Sequence, residues 1–214
     1  VLRCSVYELR QYTLRPGTRD AFVALFDAAF VESQEEAGML LLGQFTDLDR
    51  PDMFVWLRGF SDMTSRRAAL ETFYSGPVWA AHREMANAMM LDSDDVLLLK
   101  PAGGAPIETH LRHRASGGAT APPTSKITVD IRPMPTEADG APLDDSREQL
   151  TRDGGVLLGQ LRTERAANSF PQLPIREDVH VLVTIARGHR ADGTPRDDQR
   201  EQLRLVPTSR SALR

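Results

Sequence analysis

Leu41-Leu42-Gly43-Gln44 recurs as Leu157-Leu158-Gly159-Gln160, each time shortly after glycine, Gly38 in one case and Gly154-Gly155 in the other. Alone, four residues decide nothing. Three further matches flank them in the same order. Glu8-Leu9-Arg10 pairs with Asp130-Ile131-Arg132, Arg58-Gly59 with Arg187-Gly188, and Leu99-Lys100-Pro101 with Leu205-Val206-Pro207. In chain order the offsets are 122, 116, 129 and 106 (132 − 10, 157 − 41, 187 − 58, 205 − 99). The second half therefore gains 13 residues (129 − 116) between its second and third strands and loses 23 (129 − 106) before its fourth. Shared strands with variable connections are what a duplicated unit leaves behind.

The repeat divides the 214 residues into a first unit over 1–101 and a degenerate second unit over 126–214. Between them, 102–125 is rich in Gly, Pro, Ala, Thr and Ser, with Gly103-Gly104, Gly117-Gly118 and Pro122-Pro123, and reads as a linker or flexible loop. In the first unit Ser5–Leu14 alternates as a strand, and Thr18 caps a helix to about Ala37, with Phe22, Leu25, Phe26, Ala29 and Phe30 on one face. Met39–Thr46 and Met53–Phe60 form a hairpin around Leu48–Asp52. Asp62 caps a helix to about Phe73, Pro77 opens another ending near Met90, and Val96–Lys100 is the last strand. The order is β-α-β-β-α-β, a ferredoxin-like unit. In the second unit, strands are expected at Lys126–Arg132, Val156–Thr163, Val179–Arg187 and Leu203–Pro207. A short helix is expected at Leu143–Arg152 and a stunted one near Asp197–Gln202.

Such a unit covers only one face of its sheet with helices. Yet strand three carries Phe54, Trp56 and Phe60 on one side and Met53, Val55 and Leu57 on the other. A second unit packed on the free face would bury the exposed set. The fold expected is α+β, two tandem ferredoxin-like units closing into one barrel.

Composition narrows function. Hydrophobic residues make up 41% and charged residues 26%, enough for a packed core. A net charge of −4 gives no basic footprint for nucleic acid. No apolar run is long enough to span a bilayer and no signal-peptide pattern opens the chain, so a cytoplasmic location is expected. The single cysteine, Cys4, rules out an intrachain disulfide framework. His110 and His113 lack nearby carboxylates apart from Glu108, Asp92–Asp95 lacks the rest of a calcium loop, and no phosphate-cradling glycine loop or G-x-S-x-G elbow occurs. No metal and no cofactor is expected.

The first half resembles the NIPSNAP family. The segments that carry the likeness are Tyr7–Gly17, Leu42-Gly43-Gln44-Phe45, Val55–Phe60 and Phe73–Arg83 with Ala86-Asn87. They cover about residues 5–101, and the second half matches only as an echo. The resemblance implies a bacterial-type member with two units in tandem, folded as a dimeric α+β barrel. It implies no settled biochemical activity; related barrels include cofactor-independent monooxygenases and haem-degrading enzymes.

Two groups of residues could carry chemistry. On the last helix, Trp79, His82 and Arg83 follow at helical spacing, so His82 could act as general base beside Arg83 near a bound anion. Equally, Trp79 could simply pack on the sheet while His82 and Arg83 make structural hydrogen bonds. On the strands, Glu8, Arg10 and Tyr12 share one face of the first, and Trp56 and Arg58 one face of the third. These could line a polar cavity or form a buried ion-pair network. With Tyr7 and Tyr74 they complete the candidate ligand-binding set. Three functions follow: a small-molecule-binding barrel with its ligand in the barrel cleft, a cofactor-independent oxygenase or isomerase using His82, or a non-enzymatic assembly module. A homo-oligomer is expected, and light scattering checks it: a mass above the 23.7 kDa of one chain supports association, and a monomer removes it.

Overall fold

The computed structural model describes residues 3–135, 154–188 and 200–214. The helix expected at Leu143–Arg152 lies outside the described residues, as does the first half of the one expected near Asp197–Gln202. Its last two residues open a strand instead, because Glu201 and Gln202 pair with Ile131 and Asp130.

The first half follows the expected order. Strand β1 spans Val6–Leu14. Helix α1 (Arg19–Leu25) runs through a π-helical turn, Phe26–Phe30, into α2 (Val31–Glu36). Gly38, at φ 99°, takes the left-handed conformation that ends this run. Strands β2 (Leu40–Asp47) and β3 (Met53–Phe60) form the hairpin. Asp62 caps α3 (Met63–Ser75) by accepting from the Ser65 N–H at 2.6 Å, and Pro77 opens α4 (Pro77–Met89). Strand β4 is longer than expected, Met90–Gly103. In the second half β5 (Ile127–Pro133), β6 (Val156–Thr163), β7 (Val181–Arg187) and β8 (Glu201–Pro207) follow.

These strands close into one barrel in the order β1-β3-β2-β8-β5-β7-β6-β4. Closure happens within the chain, through β2 on β8 and β4 on β6, both antiparallel. The first seam covers Phe45–Asp47 of β2 and the second Leu99–Gly103 of β4. The two Leu-Leu-Gly-Gln copies occupy equivalent places. In β2 the register with β3 shifts between Leu41 and Gly43, and in β6 the register with β7 shifts between Leu157 and Gly159. Each glycine sits at its bulge.

The lumen is filled. All eight strands send side chains into it, among them Leu9, Phe45, Leu57, Leu97, Val129, Leu161, Val183 and Leu205, all buried. A 3₁₀ turn, Ile107–His110, closes one end: Ile107 lies over Gly159, and Glu108 accepts from the Cys4 N–H and the Tyr7 hydroxyl, each at 2.8 Å. Within 102–125, the stretch read as a linker or flexible loop, Ile107 and Glu108 are buried, and Arg114 bonds the Leu41 carbonyl, Gln44 and Glu35. At the other end Gln11 donates to Asp95 at 3.2 Å and accepts from Arg50. A second apolar layer lies outside, between the outer faces of β1 and β3 and the helices, built on Phe22, Phe26, Phe30, Phe54, Trp56, Leu70 and Phe73.

The bulge glycines yield a graded prediction. A Cβ at Gly43 would meet the Phe45 ring at 2.2 Å, whereas one at Gly159 would meet Ile107 at 3.1 Å. Urea melts should show Gly43→Ala destabilised by about 3 kcal/mol and Gly159→Ala by about 1 kcal/mol; equal costs would contradict this packing.

Candidate functional site

The even-numbered residues of β1 face the helices, because side chains alternate across a strand. Glu8 and Arg10 lie on that face, Arg58 stands opposite Glu8 on β3, and Arg66 reaches in from α3. All four side chains are fully buried, at 0–1% exposure. The Glu8 carboxylate accepts from all three arginines: Arg10 Nη1 at 2.9 Å and Arg58 Nε at 2.8 Å on Oε2, and Arg66 Nε at 2.6 Å on Oε1. Arg58 Nη2 also stands 2.7 Å from Oε2, ion-paired but poorly aligned for a second hydrogen bond.

Three cations thus share one anion, and neutral groups take up the rest. Arg10 Nε donates to the Tyr12 oxygen at 2.9 Å, Arg58 Nη1 to Gln34 Oε1 at 3.0 Å, and Arg66 Nη1 to Asn168 Oδ1 and Ser169 Oγ at 3.0 and 2.9 Å. Ring faces contribute as well: Arg58 lies 4.8 Å from the Trp56 centroid and Arg10 5.4 Å from that of Tyr12. In this layer Arg66 Nη2 and Trp56 Nε1 are buried donors with no hydrogen-bond partner among the described residues. Burial alone pushes the Glu8 carboxyl up, but Arg58, Arg10 and Arg66 outweigh it and hold the group well below the usual carboxylate range. Burial lowers Arg66, its attraction to Glu8 opposes that, and repulsion from Arg58 and Arg10 adds to it.

Against this quartet lies a cleft of about 30 Å³. Tyr12, Trp56 and Gln34 line it on the quartet side; Phe22 of α1 and Phe26 and Phe30 of the π-turn line it next; Phe73, Tyr74, Trp79, Ala86 and Met90 cover it. The rings meet edge to face, as Tyr12 with Trp56 at 5.8 Å and Tyr74 with Trp79 at 5.0 Å. Since Tyr12 accepts from Arg10, its own proton is free to donate elsewhere. Burial, and the nearby Tyr12 hydroxyl, push Tyr74 up, so it is a neutral donor too.

The fold brings together Arg10, Tyr12, Trp56, Arg58, Tyr74 and Trp79 in this layer. It does not bring in Tyr7, which lies on the opposite face of β1, in the lumen, bonded to Glu108. Nor does it unite His82 with Arg83: the His82 ring is half-buried 6.1 Å from Phe30, outside the cleft lining, and Arg83 is exposed. Consecutive helical residues diverge by about 100°, which separates them. The cleft lies outside the barrel, between sheet and helices, whereas apolar side chains occupy the lumen. Sequence reasoning missed Arg66, although Arg66, Ala69, Leu70 and Phe73 share one face at helical spacing and all are buried. It also missed Asn168, Ser169 and Phe170, for which no local pattern gives a signal. Among the described residues no group of three or more His, Cys, Asp or Glu could hold a metal, and no helix is long and apolar enough to cross a membrane.

Glu8→Gln would leave three buried guanidinium groups without a carboxylate and should cost about 3–5 kcal/mol. Because the folded state depresses the Glu8 pKa, its stabilisation is complete above the ordinary value of 4.5 and is lost as pH falls below it. Denaturant melts from pH 7 downward should show this acid-dependent loss in the native protein and a flatter profile in the variant. Matching profiles would contradict the network.

Residues 7–106 match the NIPSNAP family model. No curated protein sequence matches the chain. An uncharacterized NIPSNAP domain protein from Burkholderia xenovorans is 20% identical, over 47% of this chain and 98% of its own, with a TM-score of 0.44. A NIPSNAP family protein with unknown function from Agrobacterium tumefaciens is 21% identical, over 49% of this chain and 94% of its own, at 0.45. A protein from Lactobacillus acidophilus provisionally assigned as a monooxygenase is 11% identical, over 97% of this chain and 98% of its own, at 0.51. That last likeness shows shared fold alone, along nearly the whole chain. The half that builds the quartet and its cleft is the half that matches this family model, residues 7–106.

Proposed function

We propose that the first half of the chain binds a small molecule by an anionic head group, a carboxylate or one of similar size, in the cleft between the outer face of the sheet and helices α3 and α4. The observation that carries this reading is the surplus of buried positive charge: three fully buried arginines share one carboxylate directly behind the Tyr12–Trp56 wall. Burying a charge without a counter-charge is costly. A structural network could be neutral with fewer arginines, whereas an anion in the cleft would gain from the surplus. Trp56 and Tyr12 line the cleft with an indole N–H and a hydroxyl proton available to an acceptor, and Tyr74 adds a third donor. Such charge-assisted hydrogen bonds are the strong ones.

Size limits what enters. About 30 Å³ holds a head of very few atoms. A larger body requires the half-exposed cover residues, Tyr74 and Trp79, to swing outward. His82 stands at the rim behind Phe30, so catalysis as an oxygenase or isomerase with His82 as base is the second reading. It would act only on a part of the ligand that extends past Phe30.

We read the two halves as copies of one ferredoxin-like unit. The sheet order β4-β1-β3-β2 is repeated as β8-β5-β7-β6, and both Leu-Leu-Gly-Gln bulges support that reading. The site is built in the first copy only: Asp130 and Arg132 repeat the Glu8–Arg10 pair at 2.8 Å, but the position of Trp56 is filled by Ile185, if Arg58 is matched to Arg187.

The chain's two tryptophans both line the cleft, so intrinsic fluorescence reports on it directly. Titration with formate or acetate should change the emission saturably, and Tyr12→Phe should weaken the response about tenfold. A linear response, the same with sodium chloride, sulfate and carboxylates alike, would contradict a fitted site.

A further inference from the structure

The 13 residues that the second half gains between β6 and β7 do not stay with the second half. Glu164 N–H bonds the Leu98 carbonyl at 2.9 Å and Arg176 N–H the Val96 carbonyl at 2.8 Å, so the loop between them leaves and rejoins the edge of β4. Its middle lands on the first half's site. Asn168 and Ser169 accept from Arg66, and Ser169 Oγ in turn donates to the Met63 carbonyl at 3.2 Å. Phe170, 8% exposed, stacks on Tyr74 with centroids 5.9 Å apart and planes 21° from parallel. Leu173 and Ile175 pack into the same apolar layer.

The loop is braced internally. Asn168 Nδ2 donates to the Leu173 carbonyl at 2.9 Å, while Asn168 Oδ1 accepts from the Phe170 N–H at 3.1 Å. One amide side chain therefore fixes the turn that presents Phe170 and also accepts from the least compensated arginine of the quartet. Phe170 cannot shift without disturbing Asn168, and Asn168 cannot shift without uncovering Arg66.

From this geometry we infer that Phe170, on a strap supplied by the second half, is a specificity-determining residue of the first half's cleft: it limits how far Tyr74 can swing and so excludes carboxylates with bulky bodies. The inference rests on the anion-binding reading above. Tyr74 is held by Phe73 at 5.0 Å, Trp79 at 5.0 Å and Phe170 at 5.9 Å. Phe73 sits in the floor beneath it, itself buried, and Trp79 is part of the same cover. Phe170 alone of the three comes from another part of the chain and backs Tyr74 face to face. The second half, which has not kept the aromatic cleft, would then act on the first as the wall that sets ligand size.

The experiment is a titration of tryptophan emission with formate, benzoate and 2-naphthoate, in the full chain and in Phe170→Ala and Phe170→Leu. In the native protein formate should bind and 2-naphthoate should not. In Phe170→Ala the affinity for benzoate should rise about tenfold while that for formate changes less than about threefold, the discrimination that an apolar wall of this size can supply. Phe170→Leu, which keeps most of the packing and remains the test if the alanine variant does not fold, should shift in the same direction by a smaller factor. If formate binds with an unchanged size preference in the variants, the strap is structural and this inference fails while the binding reading stands. If none of the carboxylates perturbs the native emission, both fail.

Discussion

One carboxylate in a dry layer holds the first half together. Glu8 has no solvent to share its charge with, and three guanidinium groups from β1, β3 and α3 converge on its two oxygens. Because each arginine comes from a different element or position, the contact fixes the register of β1 against β3 and the seat of α3 on the sheet at once. Isolated buried ion pairs add little to stability relative to apolar packing. This cluster is more demanding, since its excess positive charge has to be satisfied by neutral acceptors and ring faces, and the residues that do so are the ones around the cleft. Gln34 from α2, Tyr12 and Trp56 from the sheet, and Asn168 and Ser169 from the second half are all placed by arginines.

The barrel makes this layer possible by needing nothing from it. Its lumen is filled with apolar side chains from every strand, with a 3₁₀ turn at one end and the Gln11–Arg50–Asp95 contacts at the other. The alternation of β1 then puts Tyr7 and Leu9 into the lumen and Glu8, Arg10 and Tyr12 on the outside, under the helices. The cleft therefore belongs to the interface between sheet and helix. The closed barrel is a rigid base on which a small cleft can be held to a fraction of an ångström.

Much of this was legible in the chain. Period-two alternation separates the two faces of β1 and β3. The capping residue Asp62 and the proline at Pro77 placed two helices. What sequence could not show was depth. Arg83 follows His82 and looks like its partner, but one helical step turns it to solvent. Tyr7 is two residues from Leu9 and shares its face, so it belongs to the lumen, a consequence of the alternation already in hand. The extended β4 and the packed segment after it were hidden by their glycines and prolines, because Ile107 and Leu111 are too few to mark a buried stretch. Least legible was the landing of Phe170 on Tyr74, a contact between residues 96 positions apart that depends on the whole barrel being closed (170 − 74).

The central claim is that the surplus positive charge of the quartet is expressed in the cleft beside Trp56 and Tyr12. A crystal soaked in sodium bromide tests it most directly, since bromide is close in size to the free space and can be located by its anomalous scattering. The account predicts an anomalous peak inside the cleft, within hydrogen-bonding distance of Trp56 Nε1 or the Tyr12 hydroxyl. Bromide found only on the protein surface, with the cleft holding water alone, would contradict it.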